Sequence, residues 1–97
     1  MSKLTVVAKV VAKKDCVEDV KKELLKLLKP TRQENGCIEY FLHQDNDDPT
    51  VFVFYETWES HACLESHINS DHFKSYADIV GSFLEEKIVQ KMTRIEP

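Results

Sequence analysis

The sequence predicts an α+β domain of the ferredoxin-like, split βαβ type: a four-stranded antiparallel sheet with helices on one face. Three observations carry this. Strand and helix patterns alternate in the order strand, helix, strand, strand, helix pair, strand. The polar run Asp45-Asn46-Asp47-Asp48-Pro49 ties the two middle strands into a hairpin. A length of 97 residues with 42% apolar content suits one compact domain over residues 1–97 and leaves no room for a second.

The elements follow in order. Leu4 to Ala12 is almost continuously apolar and Val-rich, the signature of a strand buried on both faces. Asp15 stands before Val17, Val20, Leu24, Leu27 and Leu28, with Glu18 three residues on, which predicts a helix opened by a capping box. Pro30 is expected to end or kink that helix near Lys29, and Asn35-Gly36 to stop it before the next element. Cys37–Gln44 and Val51–Glu59 are rich in Ile, Tyr, Phe and Val and read as the antiparallel hairpin. Ser60 is placed to cap a short helix from His61 to about Ile68. Ser70 is placed to cap a second, in which Phe73, Tyr76, Ala77, Val80 and Leu84 form one buried stripe. A last strand is expected over roughly Lys87 to Ile95.

One sheet face would lie open in such a fold, yet both faces are apolar. The first strand carries Leu4, Val6, Ala8 and Val10 on one side and Val7 and Val11 on the other. The third carries Phe52, Phe54, Glu56 and Trp58 on one side and Val51, Val53, Tyr55 and Thr57 on the other. A homodimer with its sheets face to face, a dimeric α+β barrel, would cover the second face.

Composition narrows the function. With 13 Lys plus Arg against 17 Asp plus Glu the chain carries a net charge of −4, and no basic block is set up for phosphate neutralisation, so nucleic acid is an unsuitable partner. Two glycines leave nothing for a phosphate-cradling loop or dinucleotide fingerprint. The first fourteen residues are broken by Lys9 and Lys13, which suits neither a signal peptide nor a membrane span, so a cytoplasmic location is expected. Three cysteines with no C-x-x-C spacing read as reduced apolar residues.

Polar chemistry gathers on the third strand and the helices after it. Glu56 lies between Phe54 and Trp58 on its strand face. Under the helices its carboxylate would be desolvated and its pKa raised, which makes a proton carrier; alternatively it reaches solvent or a lysine. His67 follows Cys63 and Leu64 by a helical turn and is expected to be at least half buried, as a structural residue or a catalyst. His72, in the first turn after Ser70, suits either a helix-start hydrogen bond or proton handling. His61, Cys63, His67 and His72 fall within twelve residues but match no zinc spacing, so no metal is expected. Asp45 and Glu56 occupy the first and twelfth places of a calcium-loop frame, which fails at Pro49 and Thr50. The residues thus predict a small apolar pocket under the helices, with Glu56, Trp58, His67 and His72 as its polar wall.

Thr31 to Tyr40, then Tyr55-Glu56-Thr57-Trp58-Glu59-Ser60, Leu64-Glu65-Ser66-His67 and Ser70-Asp71-His72-Phe73-Lys74, resemble the antibiotic biosynthesis monooxygenase family in order and spacing over nearly the whole chain. The likeness is greatest to its small bacterial quinol monooxygenase branch. The resemblance implies a cofactor-independent monooxygenase that oxidises a quinol- or phenol-like aromatic substrate with molecular oxygen, without metal or flavin. It marks His72, His67 and Glu56 as catalytic, and Trp58, Phe54, Phe73, Tyr76 and Arg32 as substrate-binding. Haem-degrading relatives place an Asn in the first strand, and residues 3–12 contain none. Relatives that isomerise a phosphorylated signalling sugar share the two histidines, while Trp58 favours the oxygenase. A non-catalytic, dimeric small-molecule-binding module is the reading from a different class; the chain carries no helix-turn-helix that would make it a transcriptional sensor.

Overall fold

The computed structural model describes residues 3–96. Its elements are β1 (Leu4–Ala12), α1 (Val17–Arg32), β2 (Cys37–Gln44), β3 (Val51–Trp58), α2 (His61–Ile68), α3 (Asp71–Val80) and β4 (Leu84–Met92). The strands form one antiparallel sheet in the order β2-β3-β1-β4, the split βαβ topology, with the helices on one face.

Register decides what the helices cover. Val6 and Tyr40 stand opposite Glu56, and Ala8 and Leu42 opposite Phe54, so all share the helix-side face with Val10, Phe52 and Trp58. From α1, the positions Val20, Leu24, Leu27 and Thr31 recur at helical spacing and are all buried against that face, giving the core its second layer. Tyr76 and Val80 of α3 complete it. The bulky stripe of each helix is therefore matched to the aromatic middle of the sheet.

Both serine caps are in place: Ser60 Oγ accepts from the Cys63 amide at 3.3 Å and Ser70 Oγ from the Phe73 amide at 3.3 Å. Four boundaries differ from expectation. The predicted capping box does not form, because Lys14–Cys16 make a 3-10 turn that absorbs Asp15; Cys16 is the N-cap and has no side-chain cap bond. Glu18 and Asp19 in the first turn still complement the helix dipole. Pro30 does not end α1, which runs on to Arg32. A proline this close to the C-terminus forfeits one backbone bond, and the turn is held by buried Thr31 and by the Arg32 guanidinium, which donates to the Tyr40 carbonyl from Nε at 3.0 Å and Nη2 at 2.8 Å. β3 ends at Trp58, one residue short of Glu59. Finally, α3 stops at Val80 and a 3-10 turn, Gly81–Phe83, leads into β4 three residues earlier than expected. Leu84 opens that strand, pairing with Ala12 beyond a bulge, and does not extend the helical stripe.

Candidate active site

β3 alternates Phe54, Glu56 and Trp58 toward the helices, while α2 and α3 bring His67, Phe73 and Tyr76 down onto them. Between these layers lies a cavity of about 140 Å³. Phe54, Glu56, Tyr40, His67, Phe73 and Tyr76 line it together with aliphatic side chains from β1 and α1. Tyr40 stacks on Phe54 with ring centroids 4.8 Å apart.

Glu56 is the carboxylate at the cavity floor and is 4% exposed. Its Oε1 accepts from Trp58 Nε1–H at 2.8 Å. Desolvation pushes its pKa up to about 7; the Trp58 bond opposes the rise and the charge of Glu34 adds to it. The expectation of a buried, raised-pKa Glu56 matches this placement. Burial likewise holds the Tyr40 phenol well above its ordinary range, with Glu56 contributing.

His67 is 2% exposed, and its Nδ1 lies 2.7 Å from Glu34 Oε2. Burial, the largest influence, lowers its pKa below 6.5 against the opposing pull of Glu34, so the ring is neutral at pH 7. The Glu34 bond assigns the single proton to Nδ1 and leaves the Nε2 lone pair free on a ring that lines the cavity. Trp58 at 4.9 Å and Phe73 at 5.0 Å between ring centroids fix the plane of that ring. The expectation that His67 is at least half buried is met.

The same Glu34 oxygen meets His72 Nε2 at 2.7 Å, and Ser70 Oγ lies 3.2 Å from that nitrogen. Glu34 follows α1 in the turn closed by Gly36, its amide donating to Thr31 O at 3.0 Å. Sequence reasoning passed over Glu34 because it stands 33 residues before His67 and 38 before His72 in a stretch that reads as turn. Tyr40, on the helix-side face of β2, was missed as well; period-two alternation through Cys37–Gln44 would have found it.

Three expected site residues sit elsewhere. Trp58 is wholly buried behind Glu56 and does not line the cavity; it holds the carboxylate in place. His72 reaches the site only through Glu34 and borders a separate shallow groove with Glu23, Lys26 and Ser75. Arg32 is removed from the cavity, its guanidinium occupied by the Tyr40 carbonyl and lying 5.8 Å from the Phe41 ring centroid.

Glu34 Oε2, His67 Nδ1 and His72 Nε2 lie within 4.8 Å of one another, a two-imidazole, one-carboxylate set of the kind that holds Zn²⁺ or Fe²⁺. Spacing within residues 61–72 missed it because the carboxylate comes from outside that window, and His61 and Cys63 take no part in it. The same three atoms also satisfy one another by hydrogen bonds. The acidic run is a hairpin turn: Asp45 Oδ2 accepts from the amides of Asp47 and Asp48 at 2.9 and 2.8 Å, and Glu56 points into the core. Among the described residues no helix is long and apolar enough to cross a membrane.

Comparison with known proteins bears on what this cavity does. Residues 3–78 match the family described as antibiotic biosynthesis monooxygenase. A Mycobacterium tuberculosis protein, Rv0793, named as a candidate monooxygenase, is 30% identical over 83 residues, or 86% of this chain and 81% of that one. An uncharacterised Synechocystis protein, sll1783, is 31% identical over 64 residues, 62% of this chain but only 44% of that protein's length. The crystal structure of PA3566 from Pseudomonas aeruginosa superposes with a TM-score of 0.95 at 32% identity, covering 99% of this chain and 97% of the other.

Proposed function

The chain belongs to the antibiotic biosynthesis monooxygenase family, and from that premise we propose that it oxidises a quinol- or phenol-like aromatic compound with molecular oxygen, using no metal, flavin or other prosthetic group. The observation that carries the reading is the pairing, in one aromatic-walled cavity, of a carboxylate with a pKa of about 7 and a neutral imidazole.

A neutral quinol reduces oxygen poorly, whereas its anion gives up an electron readily, so the first task of the protein is to take a phenolic proton. Glu56 accepts it as the general base, while His67 Nε2 accepts a hydrogen bond from the second hydroxyl and Glu34 fixes the His67 tautomer. The anion passes one electron to oxygen, and the resulting radical pair joins as a C–O bond, giving a peroxide. The peroxide takes back the proton held by Glu56, and the ring hydrogen then leaves together with the distal OH as one water, so that a new carbonyl oxygen stays on the ring. A quinol plus O₂ thus yields a hydroxyquinone plus water, with every electron coming from the substrate. Exclusion of bulk water by Phe54, Phe73 and Tyr76 favours the small, apolar O₂ molecule and protects the radical pair.

The proposal extends to a homodimer joined through the open sheet face and, since all three cysteines are free, to a reducing, cytoplasmic setting. Oxygen uptake with a panel of quinols and anthrones, on protein dialysed against a chelator, tests the reading. Turnover should survive chelation and fall at least 100-fold in Glu56→Gln with the fold intact. Tight ligand binding without oxygen uptake would make the protein a binding module, and turnover only on a phosphorylated sugar would make it an isomerase.

A further inference from the structure

The helices do not reach across the whole sheet. β4 is an edge strand, and its helix-side positions Lys87, Val89 and Lys91, opposite Val10, Ala8 and Val6, border the cavity from its open side. All three are exposed on this edge strand, with apolar Val10, Ala8 and Val6 beside them on β1. Two of the three are cations, in a chain whose net charge is −4. Four steps along the strand set them about 13 Å apart, enough for two long side chains to bracket an opening. Lys87 Nζ already leans over the Phe73 ring, 5.4 Å from its centroid, and Phe73 is part of the cavity wall. Neither ammonium has a carboxylate partner within ion-pair distance among the described residues, whereas Lys9, Lys26 and Arg94 do.

Size adds a second constraint. The cavity of about 140 Å³ is close to the roughly 150 Å³ apolar space that accepts one benzene ring. One six-membered ring fills the space between the sheet and the helices, and its substituents face the open side.

We infer that the aromatic substrate is monocyclic and carries an anionic group, a carboxylate or its equivalent, on a short arm. The ring enters the cavity with its hydroxyl toward Glu56 and His67, and the anion remains at the mouth between Lys87 and Lys91. This rests on the aromatic-substrate reading above and adds to it the ring count, the charge and the direction of entry. It also separates two charges that would repel: the anion stays at the lysines, and the carboxylate of Glu56 meets only the hydroxyl. Lysines on an edge strand also discourage edge-to-edge pairing, a role that involves no preference among ligands.

Binding under argon tests the inference apart from catalysis, read as quenching of Trp58, the single tryptophan, and by calorimetry. The probes are (4-hydroxyphenyl)acetate, its methyl ester, a three-ring hydroxyanthracene carboxylate and ribose 5-phosphate. The acid should bind at least tenfold more tightly than the ester, the preference should shrink in 1 M salt, and the three-ring acid should not bind. Lys87→Gln/Lys91→Gln should bring the acid down to the affinity of the ester, and Lys87→Arg/Lys91→Arg should keep the preference. Equal affinity of acid and ester, an acid preference that survives the double Gln variant, or tighter binding of the three-ring acid or the sugar phosphate would overturn it. Binding as expected with no oxygen uptake would leave the inference standing and sink the oxygenase reading.

Discussion

A single carboxylate, Glu56, links the chemistry of this domain to its stability. Its folded pKa of about 7 lies above the ordinary 4.5, so the folded protein holds that proton more tightly than the unfolded chain. The stability this gives is complete below about pH 4.5 and is lost as the pH rises through about 7. Glu56→Gln keeps an oxygen for Trp58 and has no proton to lose. Relative to the parent it should therefore gain on the order of 3 kcal/mol between pH 4 and pH 8, at ~1.4 kcal/mol per pKa unit; urea melts at the two pH values check this, and parallel curves would refute it. With Glu56 as the base, kcat/KM should rise along a limb near pH 7; a limb below 6.5 would transfer the role to His67. The neighbours of Glu56 should move that limb in opposite directions. Glu34→Gln removes a charge that raises the Glu56 pKa and shifts the limb down. Trp58→Phe removes the bond that favours the carboxylate and shifts it up. Glu56 was legible in the sequence because strand alternation sets it between Phe54 and Trp58. Glu34 was not, since only the tertiary fold brings its turn to the two histidines.

At the scale of elements, the strands and the serine caps were legible because period-two apolar runs and Ser before a helical stripe are local signals. The failures fell where two local signals compete. Asp15 is an N-cap by spacing but lies in a 3-10 turn, and Pro30 is a helix breaker in isolation but sits where Arg32 and Thr31 hold the last turn to the sheet. The turn that follows packs closely against α2. Gly36 has φ +82°, and a Cβ there would overlap Cys63 Sγ at the start of α2. Gly36→Ala should cost about 1–2 kcal/mol for the left-handed backbone alone, and more for the overlap. In a Cys63→Ala background part of the overlap cost should return and the backbone cost should remain, as a double-mutant cycle of chemical denaturation would measure. Because Glu34 lies in the same turn, Gly36→Ala should also lower kcat more than it raises KM. An unchanged kcat would mean that Glu34 keeps its place without the turn.

For the molecule as a whole, one face of the sheet is the unfinished surface. Register places Val7, Val11, Val53, Tyr55, Phe41, Ile88 and Met92 on the face away from the helices. Phe41, Ile88 and Met92 are each more than two-fifths exposed. Lys9, Glu39, His43, Glu86 and Gln90 share that face, but exposed apolar residues among them favour aggregation unless something covers them, and a second copy offers the same strands in a self-complementary arrangement about a two-fold axis. The helix-side cavity opens on the other face, so pairing through this one leaves the entrance between Lys87 and Lys91 free and two sites acting independently. Light scattering should therefore give a dimeric mass at micromolar concentration. A charge near the centre of the face, Val7→Glu or Tyr55→Glu, should give monomers with less resistance to urea, because the apolar side chains of each sheet then meet water. Those monomers should keep measurable affinity for a monocyclic aromatic acid, since no residue that lines the cavity lies on the face away from the helices. A dimeric mass in both variants would place the contact elsewhere, and loss of ligand binding in a folded monomer would mean that the partner subunit completes the site.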